Sequence, residues 1–110
     1  MTLANQIKKS VGSHKPTKSP QIYMQEFKQV IRDTVNHENV DVRNAVCGHQ
    51  YCPTKMLTER LMVEDDIDVI RTILLNPKTP YTAALQFANE RPELADQFSA
   101  DAEVIAKLSQ

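Results

Sequence analysis

Tyr23, Phe27, Val30, Ile31 and Thr34 recur at helical spacing, gathering their side chains on one side of an α-helix. Ser19 precedes Pro20, a pairing that offers a capping hydroxyl and then a proline at the first helical position, where its missing N–H costs nothing. The pattern predicts a helix over residues 20–34, broken by Asn36-His37-Glu38-Asn39. Further on, residues 39–53 and 66–80 align without a gap at an offset of 27. Val40 falls on Ile67, Asp41 on Asp68, Val42 on Val69, Val46 on Ile73 and Pro53 on Pro80. Each unit reads as an acidic cap, a short apolar helix, a polar bend, a cap followed by proline, and a second helix. Cys52-Pro53 and Thr79-Pro80 thus reuse the helix start of Ser19-Pro20. The second helices carry Met56, Leu57, Leu61 and Met62 in one unit and Ala84, Leu85, Phe87 and Ala88 in the other. Arg91-Pro92-Glu93-Leu94 opens a further turn toward Phe98, and Ser99 is placed to cap a last helix with Val104, Ile105 and Leu108 on one face.

These residues resemble the leucine-rich repeat variant, a HEAT-like α-solenoid family. Asp41-Val42-Arg43-Asn44-Ala45-Val46 matches the first half of the family's unit, and Leu75-Asn76-Pro77-Lys78-Thr79-Pro80 matches the second. The resemblance spans residues 37–88; His49-Gln50 replaces Asn-Pro in the first unit, and Arg71 sits one place late in the second. It implies an all-α fold, a short right-handed stack of helical repeats that presents a surface for protein contacts and performs no enzyme chemistry. Two units need sealed ends, and the helices at 20–34 and 99–108 are placed to cap them.

Composition agrees with a helical domain. The chain has 110 residues, 2 glycines and no tryptophan, whereas many short strands joined by tight turns lean on glycine. A net charge of −1 conceals an uneven distribution. Residues 1–32 carry Lys8, Lys9, Lys15, Lys18, Lys28 and Arg32 against Glu26 alone. Residues 1–18 read as a basic arm, with Leu3, Ile7 and Val11 on one helical face and Gly12 to Lys18 as a linker; residues 19–110 form a single domain. The N-terminus has no continuous apolar run, and two cysteines are too few for a disulfide framework, so the expected setting is cytoplasmic, without a membrane partner.

Four residues, His37, Cys47, His49 and Cys52, are of zinc-ligand type. The internal alignment weighs against that chemistry, because Cys47 falls on apolar Leu74 and Cys52 on the cap residue Thr79. Both cysteines are therefore read as structural, with no metal and no cofactor. A catalytic thiol would also need an orienting group that the motif lacks. Glu64, Asp65, Asp66 and Asp68 lack the glycine and distal glutamate of a calcium loop and read as charges complementing a helix start. The expected function is a non-enzymatic protein-interaction module, alone, as a homo-oligomer or within a larger complex. Arg43, Tyr51, Arg71 and Tyr81 are the candidate contacts, since Arg and Tyr are enriched at binding hot spots. The alternatives are a nucleic-acid-associated protein using Lys8, Lys9, Lys15 and Lys18 on phosphates, and a phage or mobile-element inhibitor of a host protein.

Overall fold

Asn39 and Asp66, which hold equivalent places in the two units, share nearly the same backbone (φ −81°, ψ 124° and φ −76°, ψ 124°), and each turns its side-chain oxygen onto the N–H groups two and three residues further on. Asn39 Oδ1 accepts from Asp41 at 2.8 Å and Val42 at 3.4 Å; Asp66 Oδ1 accepts from Asp68 at 2.9 Å and Val69 at 3.1 Å. Capping of this kind fixes where a helix starts. The computed structural model describes residues 20–109, and every regular element among them is helical. They are α1 (Pro20–Thr34), α2 (Val40–Cys47), α3 (Thr54–Val63), α4 (Ile67–Leu75), α5 (Tyr81–Glu90), α6 (Pro92–Asp96) and α7 (Ala102–Leu108). The basic arm, Ser19 and Lys8, Lys9, Lys15 and Lys18 lie outside the described residues.

The same offset carries into the bends. His37 Nδ1 accepts from Asn39 N–H at 3.0 Å, and Glu64 Oε2 accepts from Asp66 N–H at 3.1 Å. His49 Nδ1 accepts from Tyr51 N–H at 3.0 Å, and Asn76 Oδ1 accepts from Lys78 N–H at 3.0 Å. Different residue types thus close the same short turn at equivalent places. α2 packs on α4, α3 on α4 and α5, and α7 on both α4 and α5, while α1 packs on α2. Leu57, Leu61, Val69, Ile70, Ile73, Leu74, Phe87 and Val104 are fully buried between them.

Several local expectations are corrected. Pro53 and Pro80 occupy the N-cap, with extended backbone (ψ 144° and 147°), rather than the first helical position. Cys52 and Thr79 therefore precede the cap, and Thr79 turns its hydroxyl back to donate to Ile73 C=O at 2.6 Å. Asp101, not Ser99, caps α7, because its carboxylate reaches Val104 N–H at 3.3 Å. Ile31 in α1 and Val35 just past its end are buried, and Val30 turns to solvent at 57% exposure. Ile105 is likewise 41% exposed while Val104 is buried. Val46 is only half-buried, whereas its counterpart Ile73 is fully enclosed.

Candidate interaction surface

Two opposite edges of the helical layers have contrasting chemistry. On one, the ends of α1, α3 and α5 meet the starts of α2, α4 and α7, and arginines tie them together. Glu64, 1% exposed, receives Arg43 through Nε at 2.8 Å and Nη2 at 3.1 Å, and Arg60 through Nε at 3.0 Å. Arg43 also donates to His37 C=O and Glu38 C=O, and Arg60 donates to Asn36 Oδ1 at 2.8 Å. Burial pushes the Glu64 carboxyl up, but hydrogen bonds from Arg43, the Asp66 N–H and Arg60 outweigh it and hold the group below its usual value. Arg91 continues the series, donating to Leu61 C=O, Glu64 C=O and Asp65. Arg71 holds Asp101 at 2.6 Å and lies 3.5 Å from Glu103, and its hydrogen bond lowers the Asp101 pKa.

The other edge is formed by α1 around Phe27, residues 48–53, residues 76–80 and the end of α7. The Phe27 ring lies 4.6 Å from His49 and 5.9 Å from Tyr51, and His49 lies 5.4 Å from Tyr51. Asn76 donates to Cys47 C=O at 2.8 Å, Thr54 donates to Lys78 C=O at 2.9 Å, and Lys107 donates to Thr79 C=O. Lys78 Nζ stands 6.0 Å from the centroid of Tyr51. Phe27, Tyr51 and Tyr81 are 40%, 36% and 42% exposed. Residues 48–58, 76–89 and 104–109 contain no Asp or Glu.

The four nominated contact residues therefore divide. Tyr51 and Tyr81 stand out on the lysine-bearing edge, whereas Arg43 and Arg71 sit on the opposite one. Arg43, expected to be exposed, has a side chain only 15% accessible, because Glu64, at the C-terminal end of α3, claims its guanidinium. Sequence reasoning misses Phe27, His49, Lys55, Lys78 and Lys107 as parts of one surface. The signal that could have found them is the pair of acid-free stretches around Cys52-Pro53 and Thr79-Pro80.

Cys47 and Cys52 are both buried and free. Burial pushes the Cys47 thiol up to about 12, with Cys52 and Glu64 adding to it, and burial pushes Cys52 up to about 11 against the opposing charge of Lys78. Thiols so raised are poor nucleophiles at neutral pH. His37 and His49 spend Nδ1 on their own turns, and among the described residues no three His, Cys, Asp or Glu side chains are grouped to hold a metal ion. No helix among them is long and apolar enough to cross a membrane. No protein-family model matches the chain, and no curated protein or solved structure matches it either.

Proposed function

We propose that the chain is a non-enzymatic protein-interaction module, or a small subunit of a larger assembly, built as a short right-handed stack of HEAT-like helical repeats. Recurrence of caps and turn-closing bonds at equivalent places in the two units supports the stack, as does the packing of α2 on α4 and of α3 on α5. In such a stack each unit contacts only its neighbours, so an open end presents surface that an interior unit would cover.

The observation that carries the reading is Val63. It ends α3 at 60% exposure, on the rim of a hollow of about 220 Å³ walled by Val35, Asn36, Met56, Glu59 and Arg60. Its counterpart in the next unit is Glu90, an exposed carboxylate. An apolar residue held in solvent beside a partly apolar hollow suits burial against another protein.

Capture of the tagged full chain from its native cell, with nuclease and with sizing of the eluate, tests the reading. A stoichiometric protein partner retained by wild type and lost from Val63→Glu supports it. Recovery of no protein partner, or of the same set with Val63→Glu, overturns it.

A further inference from the structure

The outward side of α3 carries a pattern that is complementary to its own reverse. We infer that it seats the α3 of a second copy of this chain, antiparallel across a two-fold axis, an assignment that rests on the protein-contact reading at Val63 and names its partner.

A helix turns about 100° per residue, so Lys55, Met56, Glu59, Arg60 and Val63 fall within an arc of about 140°. Lys55, Glu59 and Val63 are exposed, while Met56 and Arg60 are half-buried and wall the hollow shared with Val35 and Asn36. Asp65 follows the Glu64 cap with its side chain 86% exposed. From Lys55 to Asp65 these six residues read cation, apolar, anion, cation, apolar, anion. Reversing that order exchanges every charge for its opposite and leaves each apolar place apolar.

A second α3 laid antiparallel, with its midpoint between Glu59 and Arg60, therefore meets a complementary face. Met56 lies opposite the partner's Val63, Glu59 opposite the partner's Arg60, and Lys55 beside the partner's Asp65. The two-fold axis makes each of these pairs twice. Since Met56 walls the hollow of about 220 Å³, the partner's Val63 is delivered into it and both apolar groups leave water. A parallel second copy would instead set Lys55 against lysine and Glu59 against glutamate, and like charges brought together repel.

The charges are available for this use. Lys55 and Glu59 share only an exposed pair at 3.9 Å, a contact of little strength. Arg60 directs Nε to Glu64 and Nη1 to Asn36, so Nη2 remains for an incoming carboxylate. Asp65 accepts from Arg91 through Oδ1 and keeps its second oxygen for the partner. Two helices of 10 residues cover less than the about 800 Å² per partner of a standard interface. The dimer is correspondingly weak, with a dissociation constant on the order of tens of micromolar.

The test is sedimentation equilibrium of the untagged full chain up to about 500 µM, well above that constant, with every variant shown helical by circular dichroism. The expected result is a monomer–dimer equilibrium. Glu59→Lys sets like charges against each other on both sides of the axis and should weaken the dimer about tenfold or more. Lys55→Glu and Asp65→Lys should each weaken it alone and restore it when the two proteins are mixed, because only the mixed dimer pairs opposite charges at both positions. A chain that stays monomeric, a dimer indifferent to Glu59→Lys and Val63→Glu, or mixing that restores nothing overturns the inference. A monomeric chain beside a different protein captured from the cell and lost from Val63→Glu overturns it while leaving the protein-contact reading standing, so the two fail separately.

Discussion

Arg43 reaches across 21 positions of sequence to grip Glu64 with two parallel bonds, Nε to Oε1 at 2.8 Å and Nη2 to Oε2 at 3.1 Å. The carboxylate is buried, and Arg60 completes its coordination from one helical turn away. Paired geometry of this kind is strong because both charges are satisfied by directed hydrogen bonds. Glu64→Ala strands two guanidinium groups in a half-buried site and should cost about 3–5 kcal/mol in urea unfolding. Arg43→Ala leaves Arg60 in place and should cost less, about 2 kcal/mol.

The same cluster sets an acid limit. The Glu64 pKa is lowered in the folded state, so its contribution is fully present above the unfolded carboxyl value, about 4.3, and is lost as pH falls through the lower folded value. The midpoint of urea unfolding should therefore fall as pH drops below about 4, more steeply in wild type than in Glu64→Gln. Equal slopes for the two proteins would remove Glu64 as the source.

Much of this arrangement is readable in the sequence where it depends on neighbours along the chain, and little where it depends on distant ones. The bounds of α1 and the offset between the two units follow from local periodicity and capping, and α2 to α5 start where the pattern places them within about a residue. Aligning Cys47 with Leu74 and Cys52 with Thr79 marks both cysteines as structural, and all four residues are buried. By its position Glu64 is one more charge before a helix, a role that Asp66 does fill. Its burial arises from Arg43, 21 residues away, and no spacing rule reports that. Periodicity puts Val30 on the apolar face because valine is apolar, yet it lies about a quarter-turn from Ile31 and nothing covers it.

Alkaline pH should unfold the protein through its thiols. Cys47 and Cys52 are raised to about 12 and about 11 in the folded state, against about 8.5 for a free thiol. A group whose folded pKa is raised contributes stability that is complete below the unfolded value and is lost as pH rises toward the folded one. Thermal unfolding should hold steady to about pH 8.5 and then decline, with the decline reduced in Cys47→Ala and Cys52→Ala. A thiol reagent should label neither cysteine at neutral pH until urea opens the core.

Gly48 is kept by a close approach rather than by its backbone, since its φ is −86°. A Cβ there would stand 3.1 Å from Thr72 Cγ2 and 3.3 Å from Asn44 C=O. Gly48→Ala should destabilise by about 1 kcal/mol. Thr72→Ser in the same chain removes the methyl but keeps the hydroxyl that donates to Asn44 Oδ1, and should recover part of that loss. Absence of recovery would place the strain against the Asn44 carbonyl instead.

His37 and His49 are turn-closing acceptors, and substitution can separate that role from metal binding. Glu64 and Asn76 do the same work at the equivalent places of the next unit, so a side chain with a suitably placed oxygen should serve in place of either imidazole. His37→Asn should be nearly neutral, whereas His37→Ala should cost about 1 kcal/mol. His49→Asn gives up the ring contact with Phe27 at 4.6 Å but keeps an acceptor for Tyr51 N–H, so it should fall between wild type and His49→Ala. Added zinc should move the melting temperature of wild type no more than that of the asparagine variants. A zinc-dependent rise confined to the histidine-bearing protein would instead make the imidazoles ligands, because asparagine closes the turn but is a poor partner for zinc.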